Sequence, residues 1–242
     1  MNSFAKFLLL GSLLVISIVN LADFELSGRL EADLKRDQTS KPREIIQLVG
    51  VKPGDHVLDL FAGGGYYSEI LSRVVGDKGE VVLHNNNAYL GFVGVQLSSR
   101  LSSNRLKNVT RLDSEADDLK LGENRFDSAF VILGVHDMYF KDKGWDVPVT
   151  PVMTQVYKSL KPGGRLVVID HNNAKGRGIK DAKSLHRVES AVVAAELQKI
   201  GFKLVIESDL LRNPEDDYSK SVFAPEIRRK TDRFIFIFEK AE

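Results

Sequence analysis

From His56 onward the chain alternates short apolar runs with longer amphipathic stretches, the pattern of buried strands separated by helices. His56–Phe61 follows the turn Val51–Asp55 and predicts a first strand, and Tyr66–Val75 predicts the helix after it. Gly79–Asn85 predicts a second strand, introduced by the turn residues Gly76, Asp77 and Gly79. Ala88–Leu106 reads as helical despite Gly91 and Gly94, and Val109–Leu112 as a short third strand. Phe126–Val135 is a fourth strand, unbroken in its apolar character from Ala129 to Leu133. Val149–Leu160 predicts a helix ended by Lys161–Gly164, with a fifth strand at Arg165–Asp170. Ala182–Ile200 then reads as a helix that Gly201 stops, with Leu185, Val188, Val192, Ala195 and Leu197 toward one side. Phe202–Ser208 and Asp232–Lys240 are the last strands, and large residues on both faces of the second predict an internal position.

Upstream, Pro42 opens a helix with Ile45, Ile46, Leu48 and Val49 as its apolar side. The charged stretch Glu25–Gln38 reads as a surface arm or short helix. This order predicts an α/β fold: a doubly wound, mostly parallel seven-stranded sheet with right-handed crossovers and an antiparallel C-terminal strand pair. Ligands of such a sheet bind outside the carboxyl ends of its strands, near the switch point after strand one.

Composition sharpens the boundaries. The 242 residues are 43% hydrophobic and 28% charged, enough for one domain over 23–242. Lysine plus arginine (34) nearly balance aspartate plus glutamate (33), which lacks the footprint of a non-specific nucleic-acid binder. Residues 1–22 stand apart: Lys6 precedes an uncharged, mostly apolar run from Phe7 to Ala22. They read as a signal peptide or membrane anchor, placing the protein outside the cytoplasm, periplasmic or membrane-associated. The absence of cysteine suits export and excludes a cysteine-rich metal site.

The strongest motif is Val57–Leu71, where an apolar strand runs into Gly63, Gly64 and Gly65 and out into a helix. The glycines let backbone approach a ligand, and the helix start offers unpaired N–H groups. A dinucleotide site would add a third glycine where Ser68 stands and an acid at the end of strand two, where His84 and Asn85 stand.

Asp59, Gly63 and Gly65 resemble the D-x-G-x-G-x-G signature of class I S-adenosylmethionine-dependent methyltransferases, with Phe61 in place of its first glycine. The resemblance continues through Arg125–Val131 and Leu160–Asp170, so it spans about Lys41 to Ile206. Leu185–Glu189, Leu211–Pro214 and Ile227–Phe234 also resemble a group of predicted exported bacterial methyltransferases. The resemblance implies a Rossmann-like methyltransferase fold and S-adenosylmethionine as cofactor. Its methionine part would lie on Asp59, Phe61, Ala62, Gly63, Gly64 and Gly65, with Tyr67 beside them. The ribose would meet Asn85, or Asn86 or Asn87, where the family usually has an acid. Glu115, with Ala116, aligns with the residue that contacts the adenine amino group, and also reads as an exposed charge.

Methyl transfer is an in-line displacement in which the enzyme positions a nucleophile and, where needed, removes its proton. His136 and Asp137 after strand four, and Asp170 and His171 after strand five, fall at the rim where a base belongs. His136, Asp137 and His171 are therefore the catalytic candidates, against the reading that they order loops. His186 is expected within a helix, where a histidine is more often surface or core. The scattered histidines predict no metal site. Tyr66, Tyr67, Tyr139 and Trp145 wall the same rim, and Tyr139–Pro148 and Asp209–Thr231 are candidate lids or walls. The expected function is methyl transfer to a small-molecule acceptor. Its rivals are a catalytically silent S-adenosylmethionine-binding or sensing protein and a nicotinamide oxidoreductase.

Overall fold

The computed structural model describes residues 24–241. The signal or anchor reading of residues 1–22 lies outside the described residues. Among those described, no helix is long and apolar enough to cross a membrane.

Two helices, α1 (Glu31–Ser40) and α2 (Pro42–Val49), precede strand β1 (His56–Leu60). Then follow α3 (Tyr66–Val75), β2 (Glu80–Asn85), α4 (Asn87–Leu101), β3 (Val109–Asp113) and β4 (Phe126–Ile132). A two-stranded ribbon, β5 (Lys141–Asp142) and β6 (Trp145–Asp146), leads to α5 (Val149–Ser159) and β7 (Leu160–His171). The chain ends with α6 (Ser190–Ile200), β8 (Phe202–Ser208) and β9 (Arg233–Lys240).

The main sheet has seven strands in the order β3-β2-β1-β4-β7-β9-β8. β1 pairs in parallel with β2 and β4, and β4 with β7. β9 inserts antiparallel between β7 and β8. The order reverses at β1 and β4, so the carboxyl ends of those two strands frame the crevice where ligands belong.

The expected fold is the observed one, and β9 shows why. Phe234, Phe236 and Phe238 pack into the apolar layer on one face of the sheet, with α5 and α6 residues Val152, Met153, Val193 and Leu197. Ile235 and Ile237 pack into the opposite layer, with Ile45, Ile46, Ile70 and Leu71 of α2 and α3. A strand covered by helices on both faces needs large apolar side chains on both.

Several boundaries moved: α4, expected to run to Leu106, ends at Leu101 and gives way to a tight turn at Ser102–Asn104. The last helix starts at Ser190 rather than Ala182. Arg187 is fully buried on Asp216, with guanidinium bonds of 2.9 and 3.0 Å, and its backbone turns inward to reach that partner. Glu189 meanwhile accepts the backbone N–H groups of Gly176 and Gly178, which holds the preceding stretch in turns. β4 ends at Ile132 because Leu133 takes a left-handed φ of 57°. β7 begins five residues early, absorbing Lys161–Gly164 as an irregular extension whose register shifts against β4.

Candidate functional site

β1 delivers the chain into the glycine turn. Phe61, Gly63 and Gly65 adopt left-handed φ of 51°, 58° and 76°, a conformation cheap for glycine and costly for phenylalanine. Arg100 of α4 reaches over the turn, its Nε donating to the Gly64 carbonyl at 2.5 Å. The same guanidinium pairs with Asp33 at 2.7 Å and with Glu69, so α1, α3 and α4 are clamped around the loop. Tyr66 donates to Asp37 at 2.6 Å, and Arg36 lies 3.9 Å above the Tyr66 ring, which fixes α1 as a roof. Tyr67 is buried beneath it, with a hydroxyl that has no hydrogen-bond partner among the described residues.

Asp59 at the end of β1 is buried, and the Ser68 hydroxyl donates to it at 2.6 Å. Burial raises its pKa to about 7, against the lowering effect of Ser68 and of the more distant Arg36. A desolvated carboxylate beside a glycine turn is suited to a cationic amine.

The sequence offered three asparagines for the next position, and the structure separates them. Asn85 turns onto the loop, accepting from the Gly63 N–H at 2.9 Å and donating to its carbonyl at 3.0 Å. Asn86 caps α4, accepting the Tyr89 N–H at 3.0 Å. Asn87 faces a cleft also lined by Asp113, Ser114 and Glu115, and its N–H donates to Glu115 Oε1 at 3.1 Å. Ala116 is buried behind that cleft, its carbonyl accepting from Gln155 at 2.9 Å. Asp113, at the end of β3 and paired in register with Asn85, was not singled out from the sequence; its place just past the expected third strand, Val109–Leu112, was the available signal. The residues therefore fit a ligand with a cationic amine at one end and hydroxyl or amine edges at the other.

Phe61 joins this region to the next. Its ring meets Tyr89 and Trp145 at centroid distances of 5.5 and 5.8 Å, and Tyr89 meets Trp145 at 5.4 Å. Tyr89 then donates its hydroxyl to Asp137 Oδ2 at 2.8 Å, and Trp145 Nε1 donates to the Asp137 carbonyl at 2.5 Å. An aromatic wall thus runs from the glycine turn to the residues after β4. The expected wall residues Tyr66 and Tyr139 lie elsewhere: Tyr66 under α1, and Tyr139 beside Glu196 of α6.

His136 and Asp137 come together with His186. His136 Nδ1 lies 2.8 Å from Asp170 Oδ1, and the His136 N–H donates to Asp170 Oδ2 at 2.9 Å. His136 Nε2 lies 3.1 Å from both Asp137 Oδ1 and His186 Nδ1. Burial works to lower the His136 pKa, but the Asp170 and Asp137 carboxylates outweigh it and raise it to about 10. Burial likewise opposes ionisation of Asp137, yet hydrogen bonds from His136, His186 and Tyr89 hold it well below the usual carboxylate range. In this form His136 is already protonated near neutrality, so it is a poor proton acceptor on its own.

His171 lies beside that cluster without joining its triangle: its ring centroid is 6.1 Å from that of His136, and its backbone N–H donates to Asp170 Oδ1 at 2.7 Å. It is buried, its Nδ1 2.7 Å from Thr231 Oγ1, and burial with the nearby positive charges of His136 and Arg233 keeps it neutral. His186 is the residue the helical reading hid. It lies in the turns before α6, with a φ of 56° that aims its ring at His136. Phe223, from the irregular stretch expected as a wall, covers it at a ring distance of 4.8 Å.

Comparison with known proteins agrees with this frame. Residues 33–194 match the model of the ubiE/COQ5 methyltransferase family. A Haemophilus ducreyi protein named ubiquinone/menaquinone biosynthesis C-methyltransferase UbiE is 34% identical over 128 residues, 53% of this chain and 46% of its own. A Pseudoalteromonas translucida protein of the same name is 27% identical over 185 residues, 75% of this chain and 69% of its own. The chain thus spans about half the length of the first of these relatives. Among solved structures, a SAM-dependent methyltransferase from Aquifex aeolicus shares the fold at a TM-score of 0.60 and 19% identity, over 85% of this chain and 98% of that one.

Proposed function

Because the chain belongs to the ubiE/COQ5 methyltransferase family, we propose that it is an S-adenosylmethionine-dependent methyltransferase acting on a small hydroxylated aromatic acceptor of the quinol type. The observation that carries this reading is the alignment of two polar sites along one aromatic wall. At one end stands the buried Asp59 carboxylate by the glycine turn; at the other stand His136, Asp137 and His186.

When bound, S-adenosylmethionine supplies an electrophilic methyl group on a sulfonium. Asp59 and the Gly63–Gly65 turn would hold its amino-acid end, with Asn87, Asp113 and Glu115 at its ribose and adenine. Tyr89, Trp145 and Phe61 present aromatic faces, which favour a cation by about 0.5–2 kcal/mol. The polar point between His136, Asp137 and His186 holds the acceptor's hydroxyl and favours its ionised form, which makes the ring carbon or oxygen nucleophilic. Tyr89 fixes the orientation of Asp137, and Asp170 that of His136. His171, neutral and tied to Thr231, shapes the floor. The quinol class follows the printed names of the relatives and the presence of a site suited to a hydroxyl. The apolar stretch Phe7–Ala22 supports work at or beyond a membrane, where such acceptors are found.

Asn85 favours a second reading. Both functional groups of its amide are committed to Gly63, which leaves cofactor binding to weaker partners and suits a protein that binds without turnover. Incubating the full chain with methyl-labelled S-adenosylmethionine and a panel of quinols and phenols separates the two. Label in a quinol product supports transfer. Tight cofactor binding with no labelled product from any acceptor refutes it.

A further inference from the structure

We propose that His136, Asp137 and His186 form a binding site for a divalent first-row transition cation, open on one side to the rim. The geometry is the first ground. Nε2 of His136 lies 3.1 Å from Nδ1 of His186 and 3.1 Å from Oδ1 of Asp137, and the last two lie 3.6 Å apart. A cation at the usual zinc distance of about 2.0–2.1 Å from each atom would sit roughly 0.6–0.9 Å out of their plane. That leaves the remaining coordination directions on one side, as a site that exchanges water for a ligand requires.

Lone pairs are the second ground. The His136 ring nitrogen, the His186 ring nitrogen and the Asp137 carboxylate oxygen converge on one point, and a single proton on Nε2 would bond well to only one of the other two. A cation satisfies all three at once. The groups behind the ligands are the third ground. Asp170 is fully buried and receives His136 Nδ1 at 2.8 Å, the carboxylate–histidine pairing that fixes which ring nitrogen faces a metal. Tyr89 takes the other oxygen of Asp137 at 2.8 Å, leaving Oδ1 directed into the triangle. His186 reaches its place through a left-handed backbone, φ 56°, unusual for a non-glycine residue and costly unless the site needs it.

The donor set selects the metal. Two imidazoles and one carboxylate suit zinc, iron or nickel class ions, whereas magnesium and calcium demand more oxygen ligands. The site stands without the methyl-transfer reading. If both hold, the cation binds the acceptor hydroxyl and lowers its pKa, releasing the proton to solvent.

Zn2+ and Co2+ are the probes, applied to the full chain after chelator treatment and dialysis. The expected result is one equivalent of tightly bound Zn2+, and with Co2+ visible absorption bands of nitrogen and oxygen ligation. His186→Ala, in a turn rather than the core, is expected to weaken Zn2+ at least 100-fold while keeping cooperative melting and S-adenosylmethionine binding. Asp170→Asn, acting through His136, is expected to weaken it 10–100-fold. His56→Asn, remote from the site, leaves it unchanged. Substoichiometric Zn2+ in the parent protein, equal affinity in His186→Ala, or equal binding of Mg2+ would each overturn the proposal. Failure of the methyltransferase reading shows instead as lost cofactor binding with the Zn2+ result intact.

Discussion

Asp59 is the residue whose replacement separates stability from binding most cleanly. Its carboxyl is buried and raised from 3.8 to about 7, principally by desolvation, with Ser68 the hydrogen-bond partner and Arg36 a distant opposing charge. The folded chain therefore holds the proton more tightly than the unfolded chain. The stability linked to Asp59 is complete below pH 3.8 and is lost progressively as pH rises through about 7. At 1.36 kcal/mol for each pH unit, the full loss has a ceiling of about 4 kcal/mol, of which roughly 2 kcal/mol falls between pH 5.5 and 8.5. Asp59→Asn cannot ionise and still offers Ser68 an acceptor, so it escapes that loss. Urea melts of the cofactor-free full chain at the two pH values test this. The advantage of the variant over the parent is expected to grow by about 2 kcal/mol from pH 5.5 to 8.5. A constant difference across that range, or one shrinking with pH, would refute the assignment of a strained carboxylate. The same substitution removes the charge that meets the cofactor's amine and is expected to weaken S-adenosylmethionine binding about 10–100-fold, the worth of one charged hydrogen bond.

Three further substitutions probe the frame around the loop. Gly65→Ala places a Cβ 3.0 Å from Arg100 Cδ and Leu83 Cδ1 at a φ of 76°, and is expected to cost about 1–3 kcal/mol in a denaturant melt. Gly64→Ala meets the flexible Gln96 side chain, which can move, and is expected to cost less than Gly65→Ala in the same melt. Arg100→Met leaves the buried carboxylates of Glu69 and Asp33 short of their shared partner; about 3 kcal/mol of stability should be lost, and an unchanged melt would contradict the clamp.

The sequence made the sheet legible because its strands carry their burial in their composition. Ala129–Leu133 and the Phe–Ile alternation of β9 have one reading each, and both strands are covered on both faces. The Asp59–Gly65 turn was legible for a related reason: three glycines between a strand and a helix serve few other purposes. The cluster was harder to see. His136 and Asp137 were found from their place after β4, but His186 was hidden inside an apparent helix. The pairing of Arg187 with Asp216, 29 residues onward, breaks that helix, and periodicity carries no information about such a partner. Asn85 was expected at a ligand because of its strand end, yet a short amide can close on its own neighbouring turn, and this one does. Tyr89 carried no signal at all, since its role depends on α4 bringing its hydroxyl to Asp137.

Titration of the full chain with S-adenosylmethionine in a calorimeter tests the central claim most directly. The account predicts saturable binding of one equivalent, competition by S-adenosylhomocysteine, and no heat with NAD. A chain that melts cooperatively yet takes up no S-adenosylmethionine would contradict it.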